Sequence, residues 1–217
     1  MINPAMPNLF DEEPRDVELA PGAILLARFA LPLVASLLEG LRQVTERAPF
    51  RHMTTPGGYR MSVAMTSAGS LGWVTDRTGY RYDARDPESG LPWPPMPDAF
   101  HTLALDAAAR AGFPGFNPDA CLINRYEPGA KLSLHQDKDE RDFDAPIVSV
   151  SLGLPATFQF GGMRRNDAIR RVPLTHGDVV VWGGSARLRF HGVLPIKDGT
   201  HPVIGRFRIN LTFRKAG

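Results

Sequence analysis

The cleanest pattern in the chain lies at its C-terminal end. There Phe207, Ile209, Leu211 and Phe213 alternate with Arg206, Arg208, Asn210, Thr212 and Arg214. A period of two predicts a strand with one face in a core and the other face polar. Shorter β-rich runs precede it: 146–154, 156–160, 179–182 behind a Thr175-His176-Gly177-Asp178 turn, and 188–193. The N-terminal half reads differently. After a short strand over 23–28, Val34, Leu37, Leu38, Leu41 and Val44 form a helical stripe within 33–47, with Pro32 suited to its first turn. A second helix is expected over 97–111, burying Phe100, Leu103, Ala104, Ala107 and Ala108 and stopping at Gly112. Between them, 50–97 is rich in Gly, Pro, Thr and aromatic residues without a helical period, which predicts short strands and long loops covering a site.

Many short strands after a helical preamble predict an α+β fold: two packed sheets in a jelly roll, or double-stranded β-helix, buttressed by helices. The expected organisation is a flexible lead-in over 1–20 and one domain over 21–217, with the cover at about 50–97 and the jelly-roll core at 121–217. A chain of 217 residues suits one sizeable core. Neither internal repeats nor low-complexity tracts are present.

Composition narrows the class. At 43% hydrophobic and 22% charged residues the chain reads as globular. A net charge of +2 does not announce nucleic-acid binding, so local clusters matter more: Arg81 with Arg85, Arg164 with Arg165, Arg170 with Arg171. The single Cys121 excludes an internal disulfide framework and is expected to be a buried small hydrophobe. With neither a long apolar stretch nor a signal-like N-terminus, a cytoplasmic protein without membrane contact is expected, and nothing suggests an obligate partner, so a monomer is expected.

The candidate chemistry begins at His135 and Asp137. Residues two apart on a strand point the same way, so an imidazole and a carboxylate converge there, and His191, in the run Arg187–His191, could add a second imidazole. Two histidines and one carboxylate occupy one face of an octahedral Fe(II) and leave the other positions open. Zn(II), by contrast, favours closed four-coordinate N/S sites. His52, His101, His176 and His201 lack comparable partners and are expected to be structural or exposed. On the terminal strand, Arg208 and Arg214 lie roughly 20 Å apart at about 3.3 Å per residue. Long guanidinium side chains leaning together would leave a gap for a short dicarboxylate, which arginine binds in bidentate fashion.

Together, Asn124-Arg125-Tyr126, Pro128-Gly129-Ala130, the His135/Asp137 pair, His191 and the tail Arg208-Ile209-Asn210-Leu211-Thr212-Phe213-Arg214 resemble the AlkB-type nucleic-acid dealkylation dioxygenases, the bacterial members most closely. The resemblance runs from about Pro21 to the C-terminus and is densest over 121–162. It implies Fe(II) on His135, Asp137 and His191, with dioxygen and 2-oxoglutarate as co-substrates. It carries 2-oxoglutarate onto Asn124, Arg125, Tyr126, Arg208, Asn210 and Arg214, with Arg208 and Tyr126 at the distal carboxylate and Arg214 and Asn124 at the oxo-acid end. Oxidation of the N-alkyl carbon of a base such as 1-methyladenine or 3-methylcytosine would release an aldehyde, succinate and carbon dioxide.

The substrate it implies is alkylated DNA, single-stranded or with its base flipped out, and RNA as a second candidate. The 50–97 cover would then be a nucleotide-recognition lid. The resemblance places the base between Trp73 and His135 and assigns contacts to Tyr80, Arg81, Tyr82, Asp139 and Arg165, with Thr55, Tyr59, Met65 and Lys131 as weaker candidates. An aromatic face and a nearby carboxylate suit a base made cationic by methylation. Two other readings stay open at this point: an oxygenase of the same type acting on a protein side chain or small metabolite, and a catalytically silent jelly roll that binds metal or nucleic acid.

Overall fold

A computed structural model describes residues 15–217. In chain order the strands are β1 (Val17–Ala20), β2 (Ala23–Leu26), β3 (Ala64–Gly69), β4 (Gly72–Asp76), β5 (Gly79–Asp83), β6 (Ala120–Tyr126), β7 (Leu132–His135), β8 (Ile147–Gly153), β9 (Ala156–Phe160), β10 (Arg170–Leu174), β11 (Val179–Trp182), β12 (His191–Val193) and β13 (Arg208–Arg214), with helices α1 (Val34–Arg47) and α2 (Asp98–Arg110). A seven-stranded sheet runs β1-β2-β11-β8-β13-β6-β3, a four-stranded sheet β10-β9-β12-β7, and β4-β5 is a separate hairpin. Every strand pair is antiparallel. This is the expected jelly roll with helical buttresses.

Two cores explain why the strands alternate as they do. Leu37, Val44, Phe100, Leu103, Ile123, Ile209, Leu211 and Phe213 pack between the large sheet and the helices. Leu122, Tyr126, Phe158, Phe160, Trp182 and Val193 pack between the two sheets. Each fully buried large apolar side chain contributes about 1.5–3 kcal/mol, so the large sheet is held from both faces. All seven residues of β13 are buried, and its polar face is therefore not a solvent face: it lines the interior between the sheets.

Most predicted elements are present, and five differences stand out. Pro32 stands in a 3-10 turn over Leu31–Leu33 just ahead of α1. The lead-in expected over 1–20 falls mainly outside the described residues, but Val17–Ala20 form an edge strand paired with β2. Within the 50–97 cover, β3 belongs to the large sheet, pairing along its length with β6. Over 188–193 only His191–Val193 is strand, because a 3-10 turn at Gly184–Ala186 carries the chain into the sheet, so His191 is its first residue. Strand β10 carries Arg170 and Arg171, which the sequence reading took only as a basic cluster; Arg170 Nη1 donates to the carbonyl of Glu18 at 2.8 Å.

Candidate metal and co-substrate site

β12 pairs with β7 so that His191 stands directly across from His135, and the two rings lie 4.4 Å apart between centroids. β7 ends at His135, so Asp137 sits in the irregular segment beyond and not on the strand. The convergence expected from spacing nevertheless occurs: Asp137 Oδ1 is 3.5 Å from His135 Nε2 and Asp137 Oδ2 is 3.7 Å from His191 Nε2. One ligand atom from each residue falls within 4.8 Å of the others, and no other such cluster occurs among the described residues. Both imidazoles direct Nδ1 at a backbone carbonyl, His135 at Ser133 (2.9 Å) and His191 at Arg189 (3.0 Å). That bond fixes the tautomer and leaves Nε2 free to bind a metal.

Electrostatics prepare the site for a cation. Burial pushes the Asp137 carboxyl up, but Arg214 and the two imidazoles outweigh it and hold the group well below the usual carboxylate range. Burial and the neighbouring His135 lower His191 to about 4, so it remains a neutral ligand. Burial also opposes the charged form of His135, yet its hydrogen bond to Asp137 raises it.

Deeper between the sheets, β13 and β6 bring together the residues expected to hold a dicarboxylate. Their register sets Arg208 against Tyr126 and Asn210 against Asn124. Arg208 is 1% exposed; its Nη2 donates to Ser151 Oγ at 2.9 Å. Its Nε and Nη1, the Tyr126 hydroxyl and Asn124 Oδ1 are buried without a partner. Burial lowers the Arg208 pKa, and no carboxylate among the described residues pairs with it. An uncompensated buried guanidinium is costly, and a ligand carboxylate is the group that would relieve it. Asn210 is held by Ser149 Oγ (2.8 Å), the Val150 carbonyl (3.0 Å) and Asn124 Nδ2, which donates to its Oδ1 at 3.2 Å.

Arg214 is differently placed. It donates from Nε and Nη2 to Asp137 Oδ2, so the terminal arginines do not share one setting. Arg125 does not join the cluster at all. One residue out of phase with Asn124 and Tyr126, it points to the opposite face of β6, where its guanidinium lies over Phe50 and Phe207 at 4.9 and 5.0 Å.

The β4–β5 hairpin carries the aromatic candidates. Trp73 stacks on Tyr80 with centroids 5.7 Å apart, and its Nε1 donates to Asp139 Oδ2 at 3.0 Å. Asp139 thus meets Trp73 although no strand continues through it. Tyr80 is 51% exposed. Arg165 sends Nη1 to the Leu134 carbonyl at 2.8 Å, beside His135, and lies over Phe190. Arg81 pairs with Asp76 at 2.9 Å on the hairpin itself. The Tyr82 hydroxyl donates to Glu140 at 2.7 Å. Of the weaker candidates, Tyr59 and Lys131 are exposed, Thr55 Oγ1 caps the Tyr59 N–H at 3.1 Å, and Met65 is core on β3. The other histidines hold loops together, His52 against the Met61 carbonyl and His176 against the Gly153 N–H.

Two residues of the site went unread in the sequence. Glu140 and Arg187 form a buried ion pair at 3.1 Å, and Arg187 also donates to the Asp137 carbonyl at 2.8 Å. The available signal was Glu140 itself, an acid immediately following the Asp137–Asp139 run.

A jelly roll with two histidines and a carboxylate at the mouth of the space between its sheets, and an unpaired arginine below them, defines a non-haem iron oxygenase that takes an oxo acid. The family described as the 2OG-Fe(II) oxygenase superfamily matches residues 22–214, and the chain belongs to it as an iron(II)- and 2-oxoglutarate-dependent dioxygenase that uses dioxygen. It is similar to the alpha-ketoglutarate-dependent dioxygenase AlkB of Salmonella typhimurium, 61% identical over 95% of both chains. With the nucleic acid dioxygenase ALKBH1 of Mus musculus it shares 34% identity over 59% of this chain and 34% of that one. The solved structure of OsALKBH1 superposes with a TM-score of 0.81 at 31% identity, covering 92% of this chain and 99% of that one.

Proposed function

We propose that this dioxygenase repairs DNA by oxidative removal of alkyl groups from base nitrogens, in lesions of the 1-methyladenine and 3-methylcytosine type. The observation that carries this reading is the Trp73–Asp139 hydrogen bond, made two residues along the chain from Asp137. It joins an aromatic face to a carboxylate, the pair of groups that attracts a base made cationic by methylation. The AlkB and ALKBH1 relatives support nucleic acid as the substrate class.

His135, Asp137 and His191 hold Fe(II). Arg208 and Tyr126 take the distal carboxylate of 2-oxoglutarate, and Asn124, Asn210 and Arg214 line its oxo-acid end. When bound, iron, 2-oxoglutarate and dioxygen supply the oxidant that hydroxylates an N-alkyl C–H bond, leaving succinate and carbon dioxide. The chain's own residues do the rest. Arg208 fixes the depth of the co-substrate, and the stacked Trp73 and Tyr80 orient the extruded base, since chemistry on a base requires it to leave the stack. Asp139 offsets its positive charge, and Arg165 contacts the phosphate. The hydroxylated product is a hemiaminal, which collapses to the repaired base and an aldehyde. Residues 50–97 apart from β3 act as the nucleotide-recognition lid. No helix among the described residues is long and apolar enough to cross a membrane, and our reading is of a cytoplasmic monomer.

The direct test is coupled release of succinate and formaldehyde from a methylated single-stranded oligonucleotide, dependent on Fe(II) and 2-oxoglutarate. Succinate release that no methylated DNA or RNA stimulates would overturn the repair reading.

A further inference from the structure

The β4–β5 hairpin is not hydrogen-bonded to either large sheet as a strand, yet it carries Trp73 and Tyr80. Beyond its junction with β3 at Ser70–Leu71, where the Leu71 N–H donates to the Asp119 carbonyl at 3.3 Å, its position relative to the metal ligands depends on side chains. Two of these bonds end on consecutive acids of the segment that follows β7, Trp73 on Asp139 and Tyr82 on Glu140. That segment, 136–146, contains neither helix nor strand, so it too lacks ladder bonds of its own.

Glu140 is where the separate pieces meet. Its side chain is 2% exposed. Its Oε1 accepts from the Tyr82 hydroxyl at 2.7 Å and lies 3.3 Å from Arg214 Nε, while its Oε2 accepts from Arg187 Nη2 at 3.1 Å. Arg187 extends the connection by donating to the carbonyls of Asp137 (2.8 Å) and Ala145 (3.1 Å), near the two ends of the irregular segment. Hydrogen bonds to ionised groups in a dry interior are shorter and roughly twice as strong as neutral ones, so this constellation is stiff enough to set geometry.

We infer that Glu140 is a positioning residue: it fixes the aromatic hairpin relative to the metal-binding carboxylate of Asp137, and Tyr82 is the hairpin's anchor to it, not a contact for the nucleotide. Three features favour this role over simple core filling. Tyr82 reaches Glu140 with its polar tip, and burial raises its pKa, which keeps the donating proton in place. Arg187 bonds the main chain of a metal ligand as well as the acid. Trp73, on the strand paired with β5, sits directly opposite Tyr82 in register, so movement at Tyr82 moves the stacking ring.

This inference rests on the proposed function for its substrate readout, and a second readout tests it independently. In the full-length protein, Tyr82→Phe removes one hydroxyl and leaves the ring. Hydrogen exchange over 72–83 is expected to accelerate about tenfold, the effect of losing one bond to a charged acceptor. KM for a methylated oligonucleotide is expected to rise about three- to tenfold, with Mn(II) affinity and the KM for 2-oxoglutarate changed less than twofold. Glu140→Gln should accelerate exchange over 72–83 and raise oligonucleotide KM further, and adding Tyr82→Phe to it should cost less than Tyr82→Phe alone, because the two share one bond. Unchanged exchange over 72–83 in Tyr82→Phe overturns the inference, as does a loss of Mn(II) affinity with oligonucleotide KM untouched. If the parent protein demethylates no oligonucleotide, the repair reading fails while the exchange experiment still decides the role of Glu140.

Discussion

Arg214 directs Nε and Nη2 at one oxygen of Asp137, Oδ2, at 2.9 and 2.6 Å. The other oxygen, Oδ1, is left facing His135. A residue from the last strand of the chain thereby orients the carboxylate that completes the metal site. Arg214→Lys keeps the charge and loses the planar two-nitrogen grip. Replacing an outer partner of a metal ligand typically costs about 10–100-fold in metal affinity, and a Mn(II) titration should show a loss in that range. Asp137→Ala should abolish turnover altogether. Full activity in that variant would remove Asp137 from the metal site.

Arg208 and Tyr126 present three buried donors without partners. Tyr126→Phe should raise the KM for 2-oxoglutarate about tenfold, the value of one hydrogen bond to a charged group, while Mn(II) affinity stays put. Because ligand binding to the folded state stabilises it, 2-oxoglutarate at about 100 times its Kd should add about 2.7 kcal/mol, read as a shift in thermal midpoint. An Arg208→Ala variant should lose that shift. Equal shifts in the two proteins would place the co-substrate elsewhere.

Gly192 is the middle residue of β12, and an added Cβ there would come 2.7 Å from the Leu132 carbonyl oxygen and 3.1 Å from the Leu134 nitrogen of β7. These are backbone atoms and cannot swing aside. Gly192→Ala should therefore push β12 away from β7, destabilise the fold by about 1–3 kcal/mol and weaken Mn(II) binding as His191 withdraws from His135. A urea midpoint matching that of the parent protein would show that the strands tolerate the methyl group.

The metal-free protein should lose stability in acid through His191. Its pKa is lowered from 6.5 to about 4, first by burial and then by His135, so the unfolded state takes up more protons than the folded state. This contribution is complete above pH 6.5 and is lost as pH falls towards 4, by about 3 kcal/mol. His135 runs the other way, because a raised pKa stabilises below 6.5 and fades as pH rises through the raised value. Urea midpoints measured in chelator from pH 8 to 4 should thus be highest near 6.5, and His191→Asn should flatten the acid side. An identical acid slope in the variant would assign the loss to other groups.

Trp73→Ala should weaken binding of a methylated oligonucleotide by about 1–3 kcal/mol, the usual value of one base–aromatic stack, with Mn(II) affinity unchanged. Lost metal affinity would make Trp73 a structural support of the metal site and not a base contact.

The two faces of β13, the stripe of α1 and the buried face of α2 were all legible in the sequence, because a residue's face follows from helical or strand periodicity alone. The convergence of His135 and Asp137 was expected too, but on a strand that ends at His135; the carboxylate is held in place by Arg214 and not by the pleat. Arg125 shows the same rule in reverse, since its odd position relative to Asn124 and Tyr126 already sends it to the helix side of the sheet.

What tertiary structure alone decided are the contacts between segments far apart in the chain. That Arg214 serves Asp137, that Tyr82 is tied to Glu140 and that Arg187 holds the Asp137 main chain depend on the facing of two sheets and the placement of a hairpin beyond their ladders. Local periodicity carries no information about which charged side chain will meet which. The low dielectric between the sheets then makes each such meeting matter, because a charge buried there must find a partner in the protein or take one from a ligand.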